Sequence, residues 1–341
     1  DIDINIGRTG TINPIANLTP IELDGVTITN ATLHNPSYIE KLNLKIGDWV
    51  YIERAGDVIP KVLSVMKNRR NGTENKFIFP TICPSCNSNI VKNKSDAMYY
   101  CINNKCITKI KRAIQYFVGK NAMDIEGLGP SIIEKLVSNK IVNNFADIYY
   151  LTKEDLLHLD GFGLKSAENL ISSIENSKSK SATKLLVALG LTHVGNEISD
   201  LILNKFESIK NLYNLKYDHL LEIPQIGPQI ATSIIEYFNN TENRDLINKL
   251  INIGLNYKII KSLNIESNLL GFNFVITGKL EQYTRTEIKN LILSLGGRVS
   301  DNISKNIDYL ITGSDPGSKL KKATELKINI IDENEFKTLI N

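Results

Sequence analysis

All four cysteines of the 341-residue chain lie between positions 83 and 106, in the stretch CPSCNSNIVKNKSDAMYYCINNKC. Their spacing is C-x2-C, then fourteen residues, then C-x4-C, with turn-forming proline and asparagine residues in and beside both pairs. Two short knuckles of this kind bring four thiolates into the tetrahedral arrangement that Zn²⁺ prefers. The sequence therefore predicts one structural zinc ion, without an open position for a catalytic water, bound by Cys83, Cys86, Cys101 and Cys106.

Two disulfide bonds are the alternative use of these cysteines. Disulfides need an oxidising compartment, and we would expect them to tie down more of the chain than this one stretch. The remainder of the chain contains no cysteine. The clustering therefore favours zinc.

A run of positive charge follows the second cysteine pair. Between Cys101 and Ala122 there are five lysine or arginine residues and no aspartate or glutamate. Such a run is typical of a surface that neutralises phosphates, although a solvated helix face is the ordinary alternative. Because the run adjoins the cysteine knuckle, we predict nucleic-acid contacts for Lys109, Lys111 and Arg112.

A repeat occupies the middle of the chain. The segments IEGLGPSIIEKL (125–136), LDGFGLKSAENL (159–170), LTHVGNEISDLI (191–202) and IPQIGPQIATSI (223–234) each place an apolar residue before a glycine that opens a helical stretch. The four aligned glycines are separated by 34, 32 and 32 residues, which predicts stacked two-helix units. They are Gly129, Gly163, Gly195 and Gly227.

Each aligned glycine permits a tight turn and lets backbone N–H groups at the next helix start approach a phosphate oxygen. This is the helix-hairpin-helix pattern, which binds the DNA backbone rather than base edges. Only the first two repeats have a second glycine two residues earlier, Gly127 and Gly161, while the fourth has Gln225 there. We therefore expect some hairpins to be structural and the first two to bind phosphate.

The two ends of the chain have different patterns. Alternating apolar residues before residue 80, with turns at Asp24-Gly25 and Gly56-Asp57, predict a small β-barrel; OB and SH3-like barrels fit the pattern almost equally well. At the other end strands and helices alternate, which predicts a small α/β domain with a parallel sheet. The net charge of +3 is too small to indicate a partner by itself, and no apolar run of 18 residues suggests a membrane span.

The chain resembles the C-terminal half of bacterial NAD-dependent DNA ligases, over essentially its whole length. The matching segments are IGRTGTINPIANLTPIELDGVTITNATLHN (6–35), IGDWVYIERAGDVIPKV (46–62), the CPSC and CINNKC knuckles, GKNAMDIEGLGPSIIEKLV (119–137), LGLTHVG (189–195) and a BRCT-type ending with VITGKL, LGGRVS and DYLITG. The resemblance implies four domains: an OB fold (1–78), a four-cysteine zinc finger (79–108), a helix-hairpin-helix domain with four hairpins (109–262) and a BRCT domain (268–341).

The resemblance also implies a function and its residues. Ligases of this family seal nicks with 5′-phosphate and 3′-hydroxyl ends in duplex DNA during replication and repair, with NAD as the AMP donor and Mg²⁺ as a cofactor. The implied DNA contacts in the barrel are Arg8, Thr9, Arg54, Val58 and Ile59. By residue type alone, Val58 and Ile59 would be an ordinary strand core. In the BRCT domain, Thr277, Gly278 and Lys319 resemble a phosphate pocket, although Thr-Gly is also an ordinary turn.

The K-x-D-G motif that carries the adenylated lysine of these ligases does not occur in this sequence, which begins at Asp1. We expect the adenylation domain and the NAD site to lie upstream of Asp1, so that this chain binds nicked DNA but does not adenylate itself. A monomer in the bacterial cytoplasm, associated with the nucleoid, is expected. The alternative is a non-enzymatic DNA-binding repair adaptor built from ligase-like modules.

Overall fold

The computed structural model of the protein describes residues 1–23, 25–54, 60–92, 98–259, 269–280, 282–300, 302–304, 306–314 and 316–340. The chain divides into two compact units, Asp1–Ile259 and Ile260–Asn341. No helix in the described part of the chain is both long enough and apolar enough to cross a membrane. Two of the predicted DNA contacts, Val58 and Ile59, and the predicted turn at Gly56-Asp57 lie outside the described residues.

The first unit begins with a five-stranded sheet and one short helix. Its elements are β1 (Ile2–Ile6), β2 (Ile12–Leu23), β3 (Val26–Thr32), α1 (Pro36–Leu42), β4 (Lys45–Ile46), β5 (Val50–Glu53), β6 (Lys61–Val65) and β7 (Asn75–Lys76). The sheet order is β1-β2-β3-β6-β5, parallel only between β3 and β6, and β4 pairs separately with β7. One buried core joins these strands, α1 and the segments beside them: Ile2, Ala16, Ala31, Leu33, Ile39, Leu44 and Val62.

Local sequence explains why α1 forms where it does. The side chain of Asn35 caps the helix by accepting a hydrogen bond from the Tyr38 N–H at 2.9 Å, and Pro36 occupies the first turn. Asn43 ends the helix in the left-handed conformation, with φ of 51°. The Tyr38 hydroxyl donates to the Val62 carbonyl at 2.7 Å, so the helix is attached to β6 by a polar contact as well as by its apolar face.

A partly buried ion pair supports the turn between β4 and β5. Arg70 binds both carboxylate oxygens of Asp48, at 2.6 and 2.7 Å, and the Lys45 N–H donates to the same carboxylate at 2.7 Å. Burial by itself raises the pKa of Asp48, but the hydrogen bonds from Arg70 and Lys45 outweigh it and hold that pKa below its usual value. The folded barrel therefore favours the ionised carboxylate.

This pair predicts a pH effect on stability. Because the pKa of Asp48 is lower in the folded state, its contribution is present above the unfolded pKa of about 4 and is lost as pH falls through the folded value. Asp48→Asn should cost about 2 kcal/mol of unfolding free energy at pH 7 and make the stability below about pH 4 less dependent on pH. Urea unfolding at several pH values, with Asp3→Asn at an exposed position as the control, measures this. Equal acid sensitivity in both variants would contradict it.

A zinc-finger-like segment and a helical array complete the first unit. The finger contains one antiparallel pair, β8 (Ile90–Lys92) with β9 (Tyr99–Cys101). The helices that follow are α2 (Ile107–Phe117), α3 (Pro130–Ser138), α4 (Lys153–Leu157), α5 (Leu164–Ser177), α6 (Ala182–Ala188), α7 (Asn196–Phe206), α8 (Tyr217–Leu221), α9 (Pro228–Asn239) and α10 (Thr241–Ile253). Short 3₁₀ turns occur at Lys67–Arg69, Asp147–Tyr150 and Ile209–Leu212.

The helices pack as four sequential hairpins. The pairs are α2 with α3, α4 with α5, α6 with α7, and α8 with α9, and we number the hairpins 1 to 4 in this order. One continuous buried cluster, from Ile114 in α2 to Leu255 after α10, runs through all four. The four hairpins therefore form one folded domain, and a shared core positions the turns at their ends.

The second unit is a small α/β domain. Its elements are β10 (Asn273–Thr277), α11 (Arg285–Ser294), β11 (Arg298–Val299), β12 (Tyr309–Thr312), α12 (Gly317–Glu325), β13 (Asn329–Ile331) and α13 (Glu333–Ile340). The sheet is parallel, in the order β11-β10-β12-β13. Alternate residues of β10 face opposite sides: Phe274 packs with Phe336 of α13, and Val275 packs with Ala323 of α12. Both faces of the sheet are thus covered, as expected of parallel strands.

Candidate zinc centre and nucleic-acid interface

The four cysteines meet at one point in the finger. Their sulfur atoms all lie within 4.8 Å of one another, and three of the four residues are buried. The Cys83 and Cys106 sulfurs are 3.9 Å apart, and those of Cys86 and Cys101 are 3.5 Å apart. Ligands at about 2.3 Å from a tetrahedral zinc ion would have sulfurs about 3.8 Å apart. The residues present therefore fit zinc, and all four thiols are free rather than paired as disulfides.

The surroundings of the cysteines shift the pKa values of three thiols. Burial raises the pKa of Cys83, and it raises the pKa of Cys101 to about 12. For Cys86 burial acts in the same direction, but hydrogen bonds from Ser88 outweigh it and bring that pKa to about 6. A bound divalent cation supplies the charge that four thiolates require.

The finger is joined to the barrel by backbone contacts. The Cys101 N–H donates to the Gly10 carbonyl at 2.9 Å, and Thr11 forms a bridge to Tyr100. Gly10 has a φ of 90°, and a β-carbon there would lie 2.8 Å from the Cys101 carbonyl oxygen. Only glycine allows this approach. The zinc centre is therefore attached to the turn between β1 and β2.

The finger is joined to hairpin 1 by the chain itself. Cys106 is the N-cap residue of α2, so the last zinc ligand and the first residue of the helix are neighbours. The Thr108 hydroxyl in the first turn of α2 also bonds the Ser85 hydroxyl of the other knuckle at 2.8 Å. The zinc centre thereby sets both the start and the direction of α2.

The three predicted basic contacts on α2 also make contacts within the chain. Lys109 lies 3.4 Å from the Cys101 carbonyl, Lys111 pairs with Glu134 of α3, and Arg112 reaches Asn5 of β1 at 3.3 Å. Arg112 remains exposed, whereas Lys109 and Lys111 are partly covered. The helix therefore connects finger, hairpin and barrel while still presenting positive charge. The sequence showed the charge but could not show these partners.

The four repeat glycines occupy one structural position. Each is the N-cap of the second helix of its hairpin, with extended backbone angles and negative φ; they are Gly129, Gly163, Gly195 and Gly227. A β-carbon built on any of them would meet no atom within 4 Å. Neither backbone conformation nor packing within the chain therefore requires glycine at these four positions.

The residue two places earlier has a left-handed conformation in all four hairpins. Its φ is 87° at Gly127, 88° at Gly161, 64° at His193 and 72° at Gln225. A side chain in this region costs on the order of 1 to 3 kcal/mol, so the turn is maintained in hairpins 3 and 4 against that cost. The four turns thus have a common shape, although two of them lack the earlier glycine.

The amide groups at these turns differ in one respect. Within the described part of the chain, the N–H groups of Gly129, Gly195 and Gly227 donate to no acceptor, whereas that of Gly163 donates to the Ser166 hydroxyl at 3.0 Å. Three helix starts therefore present an unused donor beside an open surface, at the positive end of a helix dipole. Such a position suits an anion.

Hairpins 1 and 2 lie side by side across a cavity of about 980 Å³. Gly127 and Gly161 both line it, so the structure brings the first two predicted turns together. The same cavity is lined by Asp124, which pairs with Lys180 at 3.0 Å. Its lining is thus mixed in charge, and it includes residues from the first turns of α3 and α5.

The barrel residues predicted to contact DNA have different surroundings. Thr9 is exposed in the turn between β1 and β2, and Arg54 is partly exposed at the end of β5. The guanidinium of Arg8 instead donates to the Gly190 carbonyl and lies over the Tyr116 ring, 4.4 Å from its centre. A backbone contact with DNA stays a prediction for all three residues, and for Arg8 the structure adds partners within the chain.

Comparison with known protein families matches each segment in turn. Residues 1–74 match the NAD-dependent DNA ligase OB-fold domain, and residues 83–107 match the NAD-dependent DNA ligase C4 zinc finger domain. The chain belongs to the NAD-dependent DNA ligase family. Residues 120–176 match the SAM-like helix-hairpin-helix tandem, residues 184–247 the helix-hairpin-helix motif, and residues 264–340 the BRCA1 C terminus (BRCT) domain. The predicted fold class and the structural zinc are thereby confirmed.

The curated relatives of this chain are named DNA ligases. The relative from Thermoanaerobacter sp. (strain X514) is 41% identical over 340 residues, which is 100% of this chain and 51% of the relative. Those from Thermosipho africanus (strain TCF52B) and Pelotomaculum thermopropionicum (strain DSM 13744 / JCM 10971 / SI) are each 42% identical, over 341 and 340 residues. The alignment with the Thermosipho relative includes 100% of this chain and 51% of the relative, and the alignment with the Pelotomaculum relative includes 99% and 50%. It thus spans about half the length of the relatives it matches.

In the BRCT domain, groups of the predicted phosphate pocket make contacts within the chain. The Thr277 hydroxyl is buried and donates to the Pro316 carbonyl at 2.8 Å. Gly278 has a φ of 79°, and a β-carbon there would lie 2.6 Å from the Ser314 carbonyl oxygen. Gly278 is therefore explained by the fold, and Lys319 lies in the first turn of α12. Phosphate binding by these residues stays a prediction.

Two residues that sequence reasoning missed are Tyr116 and Gly190, the partners of Arg8. Tyr116 is one aromatic residue in a basic helix, and nothing in its local pattern indicates a partner 108 positions earlier. Gly190 lies in the LGLTHVG segment, one of those that carried the resemblance to the ligase family. That segment was the one available signal, although it did not show which residue approaches.

Proposed function

We propose that this chain is the DNA-clamping part of a ligase and binds nicked duplex DNA mainly through the phosphate backbone. The observation that carries the proposal is the common geometry of the four hairpin turns. Each has glycine at the N-cap of its second helix, where a β-carbon would meet nothing in the chain, and three have an unused N–H donor. A phosphate that approaches the backbone closely accounts for glycine where the fold does not require it.

The basic side chains extend this surface. Lys109, Lys111 and Arg112 would neutralise phosphates next to hairpin 1, and Arg8 and Arg54 would do so from the barrel. The Thr9 hydroxyl would donate a hydrogen bond to a phosphate oxygen there. Val58 and Ile59, by their resemblance to the family, would press on the minor groove beside the nick. These contacts fix the position of the duplex and carry no sequence information, as suits an enzyme that acts on nicks in any sequence.

The whole protein is proposed to seal 5′-phosphate/3′-hydroxyl nicks during replication and repair, with NAD as the AMP donor and Mg²⁺ as a cofactor. The contribution of this chain is to hold the two DNA ends in line, since phosphoryl transfer depends largely on positioning and charge stabilisation. The sequence contains no K-x-D-G motif, so we propose that this chain does not adenylate itself. A monomer located in the cytoplasm and associated with the nucleoid suits this role.

Equilibrium binding to a labelled duplex tests the proposal. The chain should bind a nicked duplex, with log K falling linearly with log salt concentration at a slope of about −0.9 per phosphate contacted. Several phosphates, and therefore a slope steeper than about −3, are expected from the hairpin turns and the basic residues together. The intact duplex of the same sequence shows whether this half of the enzyme distinguishes the nick by itself.

The controls make the outcome clear. Zinc content and a melting curve establish that the sample is folded before binding is measured. A folded, zinc-loaded chain that binds neither duplex at low salt would contradict the proposal. Equal affinity for both duplexes would retain DNA binding and contradict only the preference for the nick.

A further inference from the structure

Two lysine side chains connect hairpin 1 to the junction between hairpins 2 and 3. This junction comprises residues 178–181, between α5 and α6. The Lys180 ammonium pairs with the Asp124 carboxylate at 3.0 Å, and the Lys184 ammonium, in the first turn of α6, donates to the Asn121 carbonyl at 3.1 Å. The two partners lie 56 and 63 positions earlier in the chain, in the loop between α2 and α3.

The junction is itself held by neighbouring segments. The side-chain amide of Asn256, which follows α10, donates to the Ser179 and Lys180 carbonyls at 3.2 and 3.1 Å. The Lys180 N–H also donates to the Ser177 carbonyl at the end of α5, at 3.0 Å. The junction is therefore a fixed support from which Lys180 and Lys184 reach hairpin 1.

The loop that these lysines contact carries the turn of hairpin 1. Residues 118–129 join α2 to α3 by successive turns and include Gly127 and Gly129. Asp124 has a φ of 52°, a left-handed conformation that costs free energy in a residue other than glycine. The ion pair with Lys180 therefore helps to hold Asp124 in place, and with it the turn that begins three residues later.

The charge of Asp124 does not suit a phosphate-binding surface. Asp124 and Lys180 are 35% and 36% exposed, and both line the cavity that also contains Gly127 and Gly161. A carboxylate beside turns that are proposed to bind phosphate repels the phosphate, so its charge alone would weaken DNA binding. The contact with Lys180 accounts for a carboxylate at this position.

We propose that Asp124 and Lys180 are positioning residues, which fix the turn of hairpin 1 relative to hairpin 3 so that both meet one DNA duplex. Lys184 supports the same alignment through the Asn121 carbonyl. In this role Asp124 raises DNA affinity although its own charge repels phosphate. The inference rests on the proposed DNA binding, because the alignment matters only if one duplex contacts both hairpins.

The sign of the effect of Asp124→Asn on DNA affinity tests this role in the full chain. Asparagine has the shape of aspartate and tolerates the left-handed conformation, so the change removes the charge and leaves the backbone in place. If Asp124 acted only through its charge, the variant would bind the nicked duplex more tightly. The positioning role predicts a loss of about 3- to 5-fold, which an ion pair of this exposure can supply.

Lys180→Met completes a double-mutant cycle with Asp124→Asn. It should lower affinity by a similar factor and leave the salt slope unchanged, because the lysine contacts the protein and no phosphate. The double variant should bind within about 2-fold of the weaker single variant, since both changes remove one contact. Lys180→Arg keeps a cation within reach of Asp124 and should retain wild-type affinity. Lys153→Met, the matched control, removes an ion pair with Glu168 inside hairpin 2 and should bind like the wild type.

Hydrogen exchange gives a readout that needs no DNA. The N–H groups of Asp124 and Ile125 donate to carbonyls at the start of the same loop, at 3.0 and 2.9 Å. Their exchange should accelerate in Lys180→Met, although that change lies outside the loop. It should remain at the wild-type rate in Lys180→Arg and Lys153→Met.

The outcomes are distinct. Lower affinity in both single variants, no further loss in the double variant and faster exchange in Lys180→Met support the positioning role. Tighter DNA binding by Asp124→Asn, or a salt slope lowered by about one contact in Lys180→Met, would show that these charges act on DNA directly and overturns the inference. Wild-type affinity in both single variants overturns it as well. If the wild type binds no DNA, the proposed function fails, and the exchange rates still decide whether the ion pair holds the loop.

Discussion

Replacing Cys101 by serine should release zinc and destabilise the first unit by several kcal/mol. Formation of a structural zinc site is coupled to folding, and zinc contributes on the order of 10 kcal/mol in isolated fingers. The loss should be smaller than that in this chain, because the barrel and the hairpins have their own buried cores. The loss should nevertheless extend into the barrel, since the Cys101 N–H donates to Gly10 in the turn between β1 and β2.

Two measurements check this result. The zinc content of the purified chain should fall from one ion per molecule to well below one. The melting temperature of the first unit should fall as well. Ser85→Ala, which removes the hydroxyl bonded to Thr108 but no sulfur, is the matched control and should retain zinc. A Cys101→Ser chain with full zinc content and wild-type melting would refute the metal assignment.

Replacing Gly129 and Gly195 together by valine should lower DNA affinity by at least about 30-fold and leave the fold intact. A β-carbon at either position would meet no atom of the described residues within 4 Å, and both residues have negative φ. The expected cost in stability is therefore about 1 kcal/mol at each N-cap. On the surface, however, each valine would stand where a phosphate must approach an unused N–H donor.

Gly254→Val gives the opposite pattern and serves as the control. Gly254 ends α10 with a φ of 104°, and a β-carbon there also meets no atom within 4 Å. Valine at this position should strain the backbone and lower the melting temperature without changing DNA affinity. Fluorescence anisotropy measures the DNA affinity of the two variants, and thermal melting measures their stability. Together they distinguish a lost DNA contact from backbone strain. Full DNA affinity in the Gly129/Gly195 variant would show that those turns have no role in binding.

The sequence predicted the zinc centre well because its chemistry is local. Two knuckles within one short segment limit the geometry so strongly that cysteine spacing alone indicates the ligand set. The hairpins were predictable for a related reason: each glycine lies within a few residues of the helix that it caps. The conformation of the turns was less visible. His193 and Gln225 adopt the left-handed conformation of Gly127 and Gly161, and the shared core rather than residue type imposes it.

Long-range partners could not be predicted, because spacing along the chain does not encode them. Lys111 is predictable as a cation, but its pairing with Glu134 depends on how α3 packs against α2. Likewise the resemblance to the ligase family placed Arg8 at the DNA, and local pattern offered nothing about Gly190. The choice between an OB and an SH3-like barrel also needed more than alternation, since both folds share the same period along each strand. The domain boundaries taken from the resemblance stay a prediction.

The direct passage from Cys106 into α2 has a consequence for how this family can vary. An α-helix turns by about 100° per residue, so inserting one residue between the last zinc ligand and Ile107 would rotate every side chain of α2 by that angle about the helix axis. Lys111 would lose Glu134, and Arg112 would lose Asn5. The number of residues between Cys106 and α2 therefore fixes the rotation of the helix about its axis, and this number is what the structure constrains. Insertions between the two knuckles should be tolerated, because the length of that segment does not set the rotation of α2.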